Sequence, residues 1–305
     1  MECAVLTPAV AADAAAVTEV VVALESWLCG QSGFSQADLE DEWSDLDLEQ
    51  DVCVVRDGDR IVGYGAVREQ GELWLAGGCV HPDARGRGIG RLIAIGLEED
   101  AARRGARRIR NRVLEADAAA CRLLESLGYG AARVFRQMRI ELHAPPPAPA
   151  WPDGLRVVSF DPERDALQFH AAHQEAFADE WGHTPRDVAS WSKGHLGSER
   201  FDATLWCVVR DGDEIAAGTI CRADTYGGGW IDGLFTRRTW RKQGVGAALL
   251  VDAFGRFWER GEHSVGLGVD MASETGAFRL YERAGMAPAP GRVVYEKTLG
   301  KAAVA

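Results

Sequence analysis

The sequence predicts a mixed α/β protein built from two copies of one unit, and three repeated segments carry that expectation. Arg85-Gly86-Arg87-Gly88-Ile89-Gly90 returns 156 positions later as Arg241-Lys242-Gln243-Gly244-Val245-Gly246, both reading R-x-x-G-x-G after a short apolar run. Val54-Val55-Arg56-Asp57-Gly58-Asp59-Arg60-Ile61 returns as Val208-Val209-Arg210-Asp211-Gly212-Asp213-Glu214-Ile215, and Arg122-Leu123-Leu124-Glu125-Ser126-Leu127-Gly128-Tyr129 as Arg279-Leu280-Tyr281-Glu282-Arg283-Ala284-Gly285-Met286. Because order and spacing persist, the 305 residues are expected to fall into an N-terminal domain over 1–146 and a C-terminal domain over 147–305. The prolines of Pro145 to Pro152 favour an extended connector between them.

Each half begins with helical spacing of apolar residues. The repeated Asp-Gly then marks a hairpin turn between two strands. A third strand leads into the glycine loop, and the loop opens a long helix ending near Gly105 or Gly261. A strand, a short helix and a closing strand complete the unit. A mixed sheet flanked by helices is the economical way to bury that alternation. The glycine loop has a direct chemical sense: without Cβ atoms a ligand approaches the backbone N–H groups, and the following helix turns its partial positive end to the same place. A diphosphate suits such a cradle, and the leading arginine offers a fork shaped for phosphate oxygens.

The charge balance, 34 basic against 46 acidic residues, disfavours nucleic acid or an anionic membrane as a partner and accommodates a cationic small molecule. Seven scattered cysteines without a C-x-x-C pair indicate reduced thiols and a cytoplasmic setting. The Ala/Val-rich start lacks a basic leader and is interrupted by Pro8 and Asp13, unlike a signal peptide. The glycine spacing is not the dinucleotide fingerprint, and no cluster has zinc-ligand spacing.

With these motifs in place, both halves resemble the GNAT family of acyl-CoA-dependent N-acetyltransferases. The family's signature is Q/R-x-x-G-x-G/A after the fourth strand, followed by A-x-x-L-Y-x-x-x-G-F, which the second half meets as Ala277 to Met286. Among tandem members the chain is similar to the mycothiol synthase type, through its linker Pro152-Asp153-Gly154 and the early Glu175-Ala176-Phe177. The resemblance implies acetyl-CoA as cofactor, held in the second half by Leu234, Phe235, Thr236, Arg241, Lys242, Gln243, Gly244, Val245, Gly246 and Ala247, with Ser273 near the pantetheine arm. The matching first-half positions are Cys79, Val80, Arg85, Gly86, Arg87, Gly88, Ile89 and Gly90. Gly233 would permit a bulge on the fourth strand, where fixed N–H donors stabilise a tetrahedral oxyanion. Tyr281 occupies the position of the acid that protonates the departing thiolate. Its counterpart Leu124 has no proton to give, so chemistry is expected in the second half and the first is expected to be catalytically degenerate.

Other residues carry more than one reading. Asp232 is a candidate base for the attacking amine, or a structurally paired carboxylate. Ser273 is expected to cap the short helix that follows it. Glu180, Trp181, His183 and Trp191 are candidates for acceptor recognition. The acidic run from Asp38 to Glu49 either attracts a cationic acceptor or is a solvated face, and Arg103 to Arg112 read as solvated surface or a contact to the CoA phosphate. The expected activity is acetyl transfer from acetyl-CoA to a primary amine of a small molecule by direct attack. Acetylation of a cysteinyl pseudo-disaccharide and a non-catalytic acyl-CoA sensor stand as alternatives.

Overall fold

The computed structural model describes residues 5–273 and 275–300. In the first repeat the chain forms β1 (Leu6–Pro8), α1 (Ala14–Cys29), α2 (Gln36–Trp43), α3 (Leu48–Asp51), β2 (Val52–Asp57), β3 (Arg60–Gln70), β4 (Leu73–Val80), α4 (Ile89–Arg103), β5 (Arg108–Leu114), α5 (Ala118–Ser126) and β6 (Gly130–Glu141). The second repeat continues with β7 (Arg156–Ser159), α6 (Pro162–Phe177), α7 (Val188–His195), β8 (Cys207–Asp211), β9 (Glu214–Arg222), β10 (Gly229–Thr236), α8 (Val245–Glu259), β11 (Ser264–Asp270), α9 (Ala277–Arg283) and β12 (Ala287–Thr298). The expected order of elements is present in both repeats. The short edge strands β1 and β7 are additions, too brief to leave a periodic signal.

Local chemistry explains the boundaries. Gly58 and Gly212 take positive φ, +60° and +55°, at the two Asp-Gly hairpins. Ser35 and Asp38 form a reciprocal cap on α2, and Asp161 before Pro162 caps α6. Helix α4 settles against β3 where a Cβ on Gly65 would lie 2.5 Å from Ile93 Cγ2. Any larger residue there would push the helix off the sheet.

Packing divides the chain into two compact units: residues up to Phe135 together with those from Pro290 onward, and Arg136–Ala289. This division departs from the sequential one at 146/147. In the first unit the strand order is β1-β2-β3-β4-β5-β12, and β12 runs antiparallel to β5 from Arg292↔Leu114 to Thr298↔Arg108. Three side chains of β12 explain the exchange: Glu296 accepts from Arg110 Nε at 2.6 Å, Tyr295 donates to Glu125 at 2.9 Å, and Lys297 Nζ lies 2.5 Å from Glu98. In the second unit the order is β6-β11-β10-β9-β8-β7. There Arg139 and Glu141 of β6 both hydrogen-bond Ser264 of β11, at 2.9 and 2.6 Å.

Each unit has its own apolar core. One is centred on Trp74, Ile109, Leu124 and Tyr129, the other on Phe169, Trp206, Phe254 and Phe257. Tyr129 is buried in the first of these cores. Cys29, Cys53, Cys79, Cys121, Cys207 and Cys221 are unpaired thiols, and Cys3 lies outside the described residues. No helix among the described residues is long and apolar enough to cross a membrane.

Members of the two charged runs lie largely at the surface and find partners there. Asp38 and Asp47 cap α2 and α3, while Asp45 meets Arg68. Arg103 and Arg104 pair with Asp100, Arg107 with Glu72, and Arg108 and Arg110 with Glu296.

Candidate active site

The site is organised by a break in β10. This strand runs parallel to β11 only over Gly229–Ile231, paired with Val265–Leu267, and continues to Thr236 paired with β9 alone. Where the strands part, alternate backbone groups of β10 lose their ladder partners and face the notch. At the same place the register against β9 slips: Ile231 faces Cys221 and Gly233 faces Ile220, leaving Asp232 as the extra residue of a bulge. The bulge anticipated at Gly233 is therefore present. In the first unit β4 also leaves β5, after Ala76↔Asn111, yet its register with β3 is unbroken from Gly63↔Val80 to Gln70↔Leu73.

Beside the notch stands the N-terminus of α8. Gly244 begins the helix in the left-handed conformation, φ +89°, preceded by Lys242 at +61°. The first repeat builds the same turn from Gly88 at +83° and Gly86 at +76°. The first-turn N–H groups of such a helix have no intrahelical partner. A Cβ on Gly244 would meet no heavy atom within 4 Å, whereas one on Gly246 would meet Leu280 Cδ2 at 3.4 Å and Leu234 Cδ2 at 4.0 Å. Open space at the helix start thus adjoins apolar contacts from Leu234 and Leu280 at Gly246. Val80, Ile89, Phe235 and Val245 bury their side chains, so only their backbones are available to a ligand. Cys79 is likewise half-buried, and burial pushes its thiol up to about 12.

The arginines of the two motifs serve the fold instead of reaching outward. Arg241 donates from Nε to Thr236 O at 2.9 Å and from Nη2 to Ala176 O at 2.8 Å. Arg85 grips both oxygens of Asp117, at 2.8 and 2.6 Å. Arg85 thus turns its fork to Asp117, and Arg241 has Nε and Nη2 engaged by carbonyl oxygens. Arg87 pairs with Asp57, and Gln243 donates to Thr239 O at 2.9 Å. Gly90 repeats the setting of Gly246, a Cβ there lying 3.4 Å from Leu123 Cδ2, and Ala247 follows in the first turn of α8.

Tyr281 is 7% exposed on α9, and burial, helped by the negative Glu180, raises its phenol to about 12. It therefore keeps its proton at neutral pH. The matching Leu124 of α5 is a buried core residue. Ser273 does not cap α9, whose N-cap is Gly276 in the left-handed conformation; its hydroxyl instead bonds Glu180 Oε1 at 3.1 Å and Thr275 Oγ1 at 2.8 Å. Asp232 is bound by Arg222 through both oxygens, at 2.5 and 2.9 Å.

Of the acceptor candidates, Trp191 is only 1% exposed and belongs to the core, while His183 and Trp181 are half-buried beside Glu180. Two histidines not singled out from the sequence stand nearer the bulge. His173 of α6 puts Nε2 3.6 Å from the Cβ position of Gly233, and its ring lies 5.6 Å from that of Phe235. His195 of α7 lies 6.3 Å from His173 and 5.2 Å from Trp191, ring to ring. Burial lowers His173 to about 3 and His195 to about 4. The i+4 spacing of His173 and Phe177 on an amphipathic helix was the one signal that could have marked the first of them.

Comparison with known proteins agrees with this architecture. A model of the acetyltransferase (GNAT) family matches residues 21–129 and again 166–286. A mycothiol acetyltransferase of Thermobispora bispora is 33% identical over 79% of this chain and 81% of its own length. A GCN5-related N-acetyltransferase from Sphaerobacter thermophilus superposes with a TM-score of 0.85 at 31% identity, covering 98% of this chain and 96% of the other. A tandem GNAT protein from the clavulanic acid biosynthesis pathway shares the fold at TM-score 0.77 and 15% identity, over 98% of this chain and all of the other. Two matches to one family model, in units that each carry the glycine turn, show that this chain belongs to the GNAT family as a tandem acetyltransferase.

Proposed function

We propose that the second unit transfers an acetyl group from acetyl-CoA to a primary amine of a small molecule by direct attack, and that the first unit lacks catalysis. The observation that carries this reading is the coincidence, in one unit alone among the described residues, of a bulged β10 that has parted from β11 and the buried phenol of Tyr281. Acetyl-CoA would supply an activated thioester. The α8 N-terminus with Gly244 and Gly246 would hold its diphosphate, and Leu234 and Thr236 would line its arm. Unpaired backbone N–H groups past Ile231 would receive the carbonyl oxygen and stabilise negative charge developing there. Tyr281 would give its proton to the leaving sulfur, a role open only to a group still protonated at working pH. Asp232 would take the amine's proton on a lone pair that the Arg222 guanidinium leaves free.

Similarity to the mycothiol acetyltransferases favours one acceptor class within this reading, the amine of a cysteinyl pseudo-disaccharide. The unpaired thiols suit a reducing, cytoplasmic setting. Thiol release measured across peptides, polyamines, aminoglycosides and mycothiol precursors tests the proposal. Acceleration by one amine class supports it, and silence across the panel with retained CoA binding would identify an acyl-CoA sensor instead.

A further inference from the structure

Two faces of β10 are distinguished by what the glycines meet. Leu234 and Thr236 lie toward Gly246 and α8, where the acyl donor is proposed to bind. Gly233 lies toward His173 and α6, and its missing Cβ leaves a hollow the size of one methyl group at the bulge. Alternation along a strand puts these neighbours on opposite faces. Ile220 Cδ1 bounds the hollow at 3.5 Å and His173 Nε2 at 3.6 Å from the Cβ position. The imidazole is the polar group there, and it is set among Phe177, Phe235 and Trp191, with ring separations of 4.8, 5.6 and 6.4 Å.

Resting on the reading above, we propose that His173 orients the acceptor: its imidazole accepts a hydrogen bond from the acceptor amine and holds that nitrogen beside Gly233, at the α6 side of the notch that the acyl donor enters from the α8 side. The acceptor nitrogen must present its lone pair to the carbonyl carbon, so one of its N–H bonds has to point away from the reaction. With the ring proton on Nδ1, Nε2 turns a lone pair to that N–H. A charged imidazolium would repel an amine and offer no lone pair. The desolvation that keeps His173 neutral, reinforced by the nearby His195, His183, His170 and Arg186, removes both objections. Nδ1 is buried without a hydrogen-bond partner among the described residues, so no bond from this atom to the fold ties the ring proton to either nitrogen. His173 acts here as a positioning residue and removes no proton itself.

The experiment compares the full chain with His173→Leu, His173→Gln and Gly233→Ala. The glutamine keeps an acceptor near the place of Nε2, and the alanine methyl would enter the hollow at ordinary contact distance without displacing backbone. His173→Leu and Gly233→Ala are expected to raise the acceptor KM about tenfold, the worth of one hydrogen bond, with the acetyl-CoA KM within about twofold of the parent. His173→Gln is expected to recover most of the loss. Equal shifts in both KM values, or an unchanged acceptor KM in His173→Leu, would overturn the assignment while leaving acetyl transfer standing. The imidazole nitrogen resonances of the parent, followed by NMR as each amine of the panel is added, separate the two ideas further. A shift of the His173 resonances without turnover would refute acetyl transfer and keep the amine site. Neither shift nor turnover would refute both.

Discussion

Tyr281 and Leu124 hold the same place in the two repeats, and the exchange of a phenol for an isobutyl group underlies the division of labour proposed for the two units. Tyr281→Phe keeps the ring that fills the core and removes only the hydroxyl that carries the proton. We expect the rate at saturating substrates to drop more than tenfold with the melting temperature little changed. A rate within about threefold of the parent would remove Tyr281 from the mechanism. Because burial raises this phenol to about 12, above its ordinary value of about 10, the protonated form persists further into alkaline solution. The pH–rate profile should therefore show no falling limb from Tyr281 below about pH 10. Tyr281 was legible in the sequence because A-x-x-L-Y fixes its place on a helix. The true partners of Arg85 and Arg241 were not, since Asp117 and the carbonyls of Thr236 and Ala176 meet them only through tertiary packing.

At the scale of elements, the packing of α6 and α7 against the sheet buries histidines that water would protonate near pH 6.5. His173 and His195 are lowered to about 3 and 4, so folding favours their neutral forms. The sign of the consequence follows from linkage: this contribution is complete above about pH 6.5 and is lost as acidification carries the solution toward the folded values. Melting temperature should decline between about pH 6.5 and 4, and His173→Gln, which cannot titrate, should flatten that decline. An identical slope in parent and variant would show that the histidine is not desolvated as described. The hairpins, glycine turns and long helices were readable because each has a local cause, such as Asp-Gly at a turn or Gly244 at a helix start. The bulge at Asp232 was half readable: Gly233 marked the place, but the identity of the extra residue depends on register against β9.

At the scale of the molecule, two repeats in sequence become two units that do not follow the sequence boundary. Repetition reveals which segments are equivalent, but it cannot reveal that β12 pairs with β5, because that choice rests on Glu296, Tyr295 and Lys297 finding Arg110, Glu125 and Glu98. A fragment of residues 1–146 should consequently lack cooperative unfolding by circular dichroism. Residues 1–135 joined through a flexible linker to 287–300 should regain it, and a cooperative transition in the first fragment would show that β12 is dispensable. The central claim concerns where the acyl donor sits. A crystal structure of the full chain with acetyl-CoA should show the diphosphate on the first-turn N–H groups of α8 and the Tyr281 hydroxyl within hydrogen-bond reach of the thioester sulfur. Acetyl-CoA bound elsewhere, or a Tyr281 hydroxyl remote from that sulfur, would contradict it.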